Sequence, residues 1–297
     1  MDLKREFLTL RFALGQYLQD RKSADYRKFI EWYYKNQKTN PEAVKNLFYI
    51  LHLHKSRAEW FSREGFRLNE FKNIHSGQSC FIIGNGPSLN KMDLNPLNSY
   101  YTFGLNKIFL IFERVALHLS YHVAVNPFVI EQSKAEIEQL KCPSFLSFNG
   151  AKDVIHPKSH IYTIWTGSTP LEFSTDILVG LSEGFTVTYV AMQIAYFMGF
   201  EKVFLIGVDH NFNQKGKPNE TQLLQGEDPN HFDSRYFAGK KWQLADLEGS
   251  ELAYQSAKFH FSRQGRIIYD ATVDGKLQVF PKISFEEALK MAKPKNL

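Results

Sequence analysis

The sequence predicts an α/β protein: a mostly parallel β-sheet with helices on both faces, preceded by an all-helical N-terminal extension. Three observations carry that expectation. From Cys80 onward, apolar runs of four or five residues alternate with segments of helical period, the pattern of parallel strands joined by helical crossovers. Residues 1–75 lack this alternation and repeat their apolar positions every three or four residues, as amphipathic helices do. Several of the strand-like runs end in Gly, Asn or Asp, residues suited to the tight turns and ligand contacts found at the carboxyl edge of such sheets.

In the extension, Leu3, Phe7, Leu10, Leu14 and Tyr17 share one helical face. Phe29, Ile30, Trp32 and Tyr33 form a second cluster, and Leu47, Phe48, Ile50, Leu51 and Leu53 a third. Asn40-Pro41-Glu42 marks a helix start between them, with Pro41 just inside it. His52 and His54 point to opposite sides of a helix and have no partner at ligand spacing, so they read as structural. The domains are therefore expected to be 1–75, helical, and 76–292, catalytic. The strands expected in the second are Cys80–Ile83, Tyr100–Gly104, His122–Val125, Ser144–Phe148, Ile161–Trp165, Val203–Ile206 and Arg266–Tyr269, with helices at Ile130–Leu140, Val187–Met198 and Leu252–Ser262.

Composition narrows the class. The chain has 297 residues, 43% apolar and 23% charged, with a formal charge of +5. Residues 1–75 hold 15 Lys and Arg against 9 Asp and Glu, leaving 21 against 22 in the rest. A basic flank beside a neutral body suits an anionic partner such as a membrane surface, or a solvated helical face. Cys80 and Cys142 lie beside apolar strand-like runs and read as buried thiols of a reducing compartment. No run approaches the roughly 20 apolar residues of a spanning helix, and the first residues lack the apolar core of a signal peptide. The expectation is a cytoplasmic protein, peripheral to a membrane at most, with no nucleic-acid partner and room for a homo-oligomer.

The first strand runs into Gly84-Asn85-Gly86-Pro87-Ser88. Gly84 and Gly86 allow a sharp turn and close approach of a ligand. Pro87 suits the first helical position, and the amides of a helix start favour phosphate. Leu89 stands where the dinucleotide fingerprint requires its third glycine. Asn106, Asn126 and the pair Asp209-His210 follow later strands, so all should converge on one crevice. Asn offers a donor and an acceptor together, suited to ribose hydroxyls or a base edge. Thr186 is a plausible N-cap for the helix that follows, and Thr186 and Thr188 lie where a ligand phosphate is within reach.

Residues 207–250 form a polar stretch long enough to act as a lid or substrate platform. Within it His231 lies between Asp228 and Asp233, either of which could orient its ring. A histidine works as a general base near neutral pH, with His210 as its competitor. The Asp and His residues here match no known metal-ligand spacing. There is no Gly-x-Ser-x-Gly elbow, Walker lysine motif or His-Glu-x-x-His.

Phe81 to Leu89, Leu105-Asn106-Lys107, Val125-Asn126-Pro127 and the run from Ala191 to Asp209 resemble two related groups. One is the bacterial sialyltransferases of glycosyltransferase family 42. The other is the MptE-like proteins, which include flagellar motility accessory factors and archaeal 6-hydroxymethylpterin diphosphokinases. The likeness covers roughly residues 78–280, and Asp228 to Asp233 and Ile268 to Thr272 look closer to the MptE-like group. It implies a Rossmann-like domain in which Asn85, Gly86, Ser88, Asn106 and Asn126 contact the nucleotide of a CMP-sugar, without a metal. It also implies His231 as the base and Tyr236 as a phosphate partner. The family's Arg-x-Thr-Ser appears as Gly184-Phe185-Thr186-Val187, and its tyrosine after the strand-end Asp as Asn211, both departures from the sialyltransferase pattern.

The expected activity is glycosyl transfer in surface-polysaccharide assembly, from a nucleotide-sugar donor to a glycan or glycolipid acceptor, with no cofactor. Two alternatives stand beside it: an ATP- and Mg²⁺-dependent diphosphokinase, and a nucleotide-binding accessory protein without catalysis.

Overall fold

The computed structural model describes residues 56–167, 172–213 and 215–295. The chain divides into two compact units, Met1–Arg67 and Leu68–Leu297. In the first, residues 56–63 are helical. The three apolar clusters expected before them, with Pro41, His52 and His54, lie outside the described residues.

The second unit is built on seven parallel strands: β1 (Ser79–Ile83), β2 (Tyr101–Leu105), β3 (Tyr121–Ala124), β4 (Ser144–Ser147), β5 (Ile161–Ile164), β8 (Lys202–Ile206) and β11 (Ile267–Asp270). Short strands β6 (Thr166–Gly167) and β7 (Leu181–Ser182) pair with each other, as do β9 (Thr221–Leu223) and β10 (Lys241–Gln243). The sheet order is β11-β8-β1-β2-β3-β4-β5. Each predicted strand coincides with an observed one to within a residue or two. They were legible because a parallel sheet covered on both faces needs near-continuous apolar runs. All five residues of β1 are buried.

Alternate residues of the strands feed two layers. Phe81, Ile83, Phe204 and Ile206 join the core on one face with Phe285 and Ala288 of the helix Phe285–Met291. Phe81 stacks on Phe204 at 5.1 Å between ring centres. The helix Val187–Phe197 crosses the other face against β1, β2 and β3. Nine of its eleven residues are buried, because the helix Leu247–Arg263 covers it from outside. Each large apolar side chain so buried contributes about 1.5–3 kcal/mol. Cys80 and Cys142 are free and buried. Among the described residues no helix is long and apolar enough to cross a membrane.

Two expectations are corrected. Ile130–Leu140 is not one helix but two, Pro127–Gln132 and Lys134–Gln139, because Ser133 leaves the helical region at φ −127°, ψ 23°. Helix does not run unbroken to residue 75: Gly65–Phe71 is a 3-10 helix and turns follow. Aromatic packing ties this segment down, with Phe71 5.0 Å from Phe145 and His75 stacked on Phe200 at 4.5 Å. His75 Nε2 lies 2.6 Å from the Tyr121 hydroxyl, and burial lowers its pKa to about 4.

Candidate functional site

The chain leaves β1 toward β2 on one side and returns as β8 on the other, so the strand order reverses between β1 and β8. Ligands of open α/β sheets bind outside the carboxyl ends of the strands at such a point. Here Gly84 N–H donates to the Ile206 carbonyl and Gly86 N–H to Gly207, each at 2.8 Å. The β1–β8 ladder thus extends into the two loops. Above it lies a cavity of about 290 Å³, near the lower end of small-ligand sites.

One wall comes from the strand ends. Gly84, Asn85, Gly86, Asn106, Asn126 and Asp209 all line the cavity. A side chain at Gly86 would overlap the Asp209 carboxylate, so this glycine is there for close approach. Pro87 does open a helix, but a five-residue 3-10 one, Pro87–Lys91. Its first free amide is already used: Ser88 N–H and Oγ donate to the two Asp209 oxygens at 3.1 and 2.7 Å. Burial raises the Asp209 pKa, and the Ser88 hydrogen bonds oppose that shift. Pro87 and Ser88 stand behind the cavity wall and support Asp209.

The three asparagines differ in what they leave open. Asn126 is committed: Oδ1 accepts from Phe128 N–H at 2.9 Å, capping the helix Pro127–Gln132, and Nδ2 donates to Gln243 Oε1 at 2.8 Å. The Oδ1 atoms of Asn85 and Asn106 are buried with no hydrogen-bond partner among the described residues. Buried acceptors left open are uncommon in folded proteins, and both residues line the cavity.

The loop carrying His231 adds a second part of the lining. Of its two candidate carboxylates, Asp228 orients the ring, with Nδ1 2.8 Å from Asp228 Oδ2. Asp233 instead pairs with Arg235. The Asp228 side chain is 1% exposed, and its other oxygen accepts from Asn230 N–H at 2.9 Å. The imidazole stacks on the Tyr236 ring at 3.9 Å and 3°. Phe232 N–H donates to the Asn85 carbonyl at 2.9 Å, fastening the loop to the glycine turn. Committing Nδ1 to a carboxylate fixes the tautomer and leaves Nε2 as acceptor.

Tyr236 does not line the cavity. It is 1% exposed, and its hydroxyl accepts from the Lys107 amide at 3.2 Å. The structure therefore gives it the task of positioning His231 by stacking. Lys107 is buried below it, Nζ donating to the Tyr236 carbonyl at 2.7 Å and to Gln132 Oε1 at 2.8 Å. Nζ also lies 4.5 Å from the Phe237 ring centre. Burial lowers the Lys107 pKa to about 7.

A third side is the start of the helix Val187–Phe197. Thr186 caps it as expected, accepting from Thr188 N–H at 3.3 Å, and both threonines line the cavity. His210 lines it too, held by Glu251 Oε1 at 3.0 Å. Glu183, also on the wall, has its pKa raised by burial. Among the described residues no three His, Cys, Asp or Glu are grouped to hold a metal.

Sequence reading missed Gln243 and Glu251, and named Phe185 and Lys107 only as members of motifs. Lys107 adjoins Asn106 in a noted motif, so its signal was present. Gln243 and Glu251 reach the site through a hairpin and a helix that no local pattern places there.

The family model of 6-hydroxymethylpterin diphosphokinase MptE-like proteins matches residues 61–215. No curated protein matches this chain. Among solved structures, MAf glycosyltransferase from Magnetospirillum magneticum AMB-1 is similar at 12% identity and a TM-score of 0.47, over 84% of this chain and 43% of that one. This chain thus spans less than half the length of that neighbour. With the family model covering more than half of its residues, the chain belongs to the MptE-like family.

Proposed function

We propose that this protein transfers a nucleotide-activated group to a hydroxyl acceptor, with a nucleotide-sugar as donor and a glycan or glycolipid as acceptor. The observation that carries the reading is His231 on the wall of the strand-end cavity, oriented from behind by Asp228 and carried on a loop that Phe232 fastens to the glycine turn. His231 Nε2 takes the proton of the acceptor hydroxyl as its oxygen bonds to the sugar carbon. The bond from that carbon to the phosphate oxygen breaks, and its electron pair leaves with the nucleotide. Asp228 keeps the ring oriented and stabilises the imidazolium. The open Asn85 and Asn106 acceptors suit nucleotide hydroxyls or amines, and Thr186 and Thr188 lie where a phosphate meets a helix start. A CMP-linked nonulosonate is one such donor. The enzyme works in the cytoplasm, its basic extension toward a membrane-bound acceptor.

His231→Ala should lower turnover by about 10²–10⁴; near-normal turnover removes the base from His231. A thermal-shift panel of CMP, CDP, UDP, GDP and ATP, with and without Mg²⁺, identifies the donor. A ligand at 100 times its Kd should stabilise by about 2.7 kcal/mol.

A second reading, diphosphate transfer from ATP, is favoured by the family and by Asp209 at the end of β8. Mg²⁺ is commonly held by one or two carboxylates plus substrate phosphates, and Asp209 on the cavity wall would be one of them. The ion would offset phosphate charge there. Activity lost in EDTA and AMP formed from ATP would select this reading, and metal-independent CMP release would select the first. His231 serves as base in both.

A further inference from the structure

We infer that Phe185 is the stacking platform for the planar base of the ligand, and so the residue that selects a nucleotide over a bare phosphosugar. The inference rests on the nucleotide reading above and adds a chemical class and a residue to it.

Phe185 lines the cavity beside Thr186, yet it is 40% exposed. Its backbone stands at φ +64°, a region that costs an L residue free energy and is usually left to Gly. The other non-glycine residues at positive φ among the described ones are Asn73, Asn106, His210, Asn219 and Asp274. Asn, Asp and His are the types that tolerate this conformation; Phe is not one of them. Such strain persists where the surroundings over-determine it and clusters at ligand sites.

The surroundings here are specific. Thr186 N–H closes the turn onto the Glu183 carbonyl at 3.0 Å. A Cβ on Gly249, in the first turn of the helix Leu247–Arg263, would come within 2.6 Å of Phe185 Cδ2. The helix start thus leaves room for the ring, held in place yet still facing open space. A buried phenylalanine would return the cost of strain through burial, but this one keeps a large part of its apolar surface in water. A planar ligand on that face would cover it, while the adjacent helix start and the open Asn85 and Asn106 acceptors engage phosphate and ribose. Stacking of a base on an aromatic ring tolerates any base.

The test titrates CMP, UMP, AMP and ribose 5-phosphate into the full-length protein and into Phe185→Gly, Phe185→Leu and Phe185→Trp. Phe185→Gly should melt no lower than the parent, because glycine accepts the positive φ. Its affinity for a bound nucleotide should fall by about 5- to 150-fold, the range of one stacked base. Ribose 5-phosphate affinity should stay unchanged, Phe185→Leu should follow the glycine variant, and Phe185→Trp should keep nucleotide binding. Equal nucleotide affinity in the parent and Phe185→Gly overturns the platform and leaves the nucleotide reading standing. So does a lower melting temperature in Phe185→Gly, which assigns the ring to the fold. Failure of the parent to bind any nucleotide overturns both.

Discussion

The strand-end wall of the cavity is held by main-chain hydrogen bonds, Gly84 to Ile206 and Gly86 to Gly207. The loop wall is held by side chains, with Phe232, Tyr236, Phe237, Trp242 and Leu244 all in the core. The first arrangement follows from strand pairing, so it needs only glycine and small polar residues at fixed places. The second must bring its own apolar anchors, because a loop has no ladder to set its position. A side chain on such a loop is only as well placed as its anchors. For His231 the anchor is Tyr236, stacked beneath the imidazole.

That contrast can be broken from either side. Tyr236→Ala should have the largest effect, about 3–5 kcal/mol lost from a fully buried aromatic position, read from urea unfolding. Turnover should fall with it as His231 loses its support. A loss below about 1 kcal/mol would mean that the loop stands without its aromatic anchor. On the strand-end wall, Gly86→Ala pushes a methyl group into the Asp209 carboxylate and should cost about 1–3 kcal/mol as an overpacked site. Nucleotide affinity should drop while the His231–Asp228 pair stays intact. A fully stable, ligand-competent Gly86→Ala would show that Asp209 moves freely.

Lys107 is the seam between the walls, and its test is the pH dependence of stability. Burial lowers its folded pKa to about 7, against roughly 10.4 when unfolded. Between these values the unfolded chain binds the extra proton, so stability should rise with pH from about 7 to 10. Below about 7 both states are protonated, and this contribution is flat. Lys107→Met should remove that rise in a series of melts; an unchanged slope would mean that Lys107 titrates as an ordinary lysine. The smallest effect expected is from Asp233→Asn. Asp233 pairs with Arg235 rather than with His231, so turnover should change less than about threefold, whereas Asp228→Asn should cost about 10² or more by freeing the wrong tautomer.

Much of this was legible from local pattern. The seven strands are continuous apolar runs bounded by turn residues, and the residues following β1, β2, β3 and β8 meet because parallel strands share one carboxyl edge. The Thr186 cap needed only its position before a helix. His231 could be singled out, but not its partner: Asp228 and Asp233 flank it in sequence, and Arg235 decides between them by claiming Asp233. Ser88 and Pro87 were expected at the ligand and instead support Asp209, since a free helix amide takes the nearest available anion. Ser133 breaks a helix whose period gave no warning.

By itself, then, the sequence determined the parallel α/β sheet, its strand boundaries and the glycine turn at its switch point, because hydrophobic period and glycine placement act over a few residues. Only the tertiary structure decided which carboxylate orients His231, that Tyr236 and Lys107 lie beneath it, and that Phe185 faces the cavity in a strained backbone. Lys107 meets Tyr236 across 129 positions, Phe185 packs on the distant Gly249, and even among neighbours Arg235 takes Asp233 and leaves Asp228 to His231; no local pattern encodes who wins.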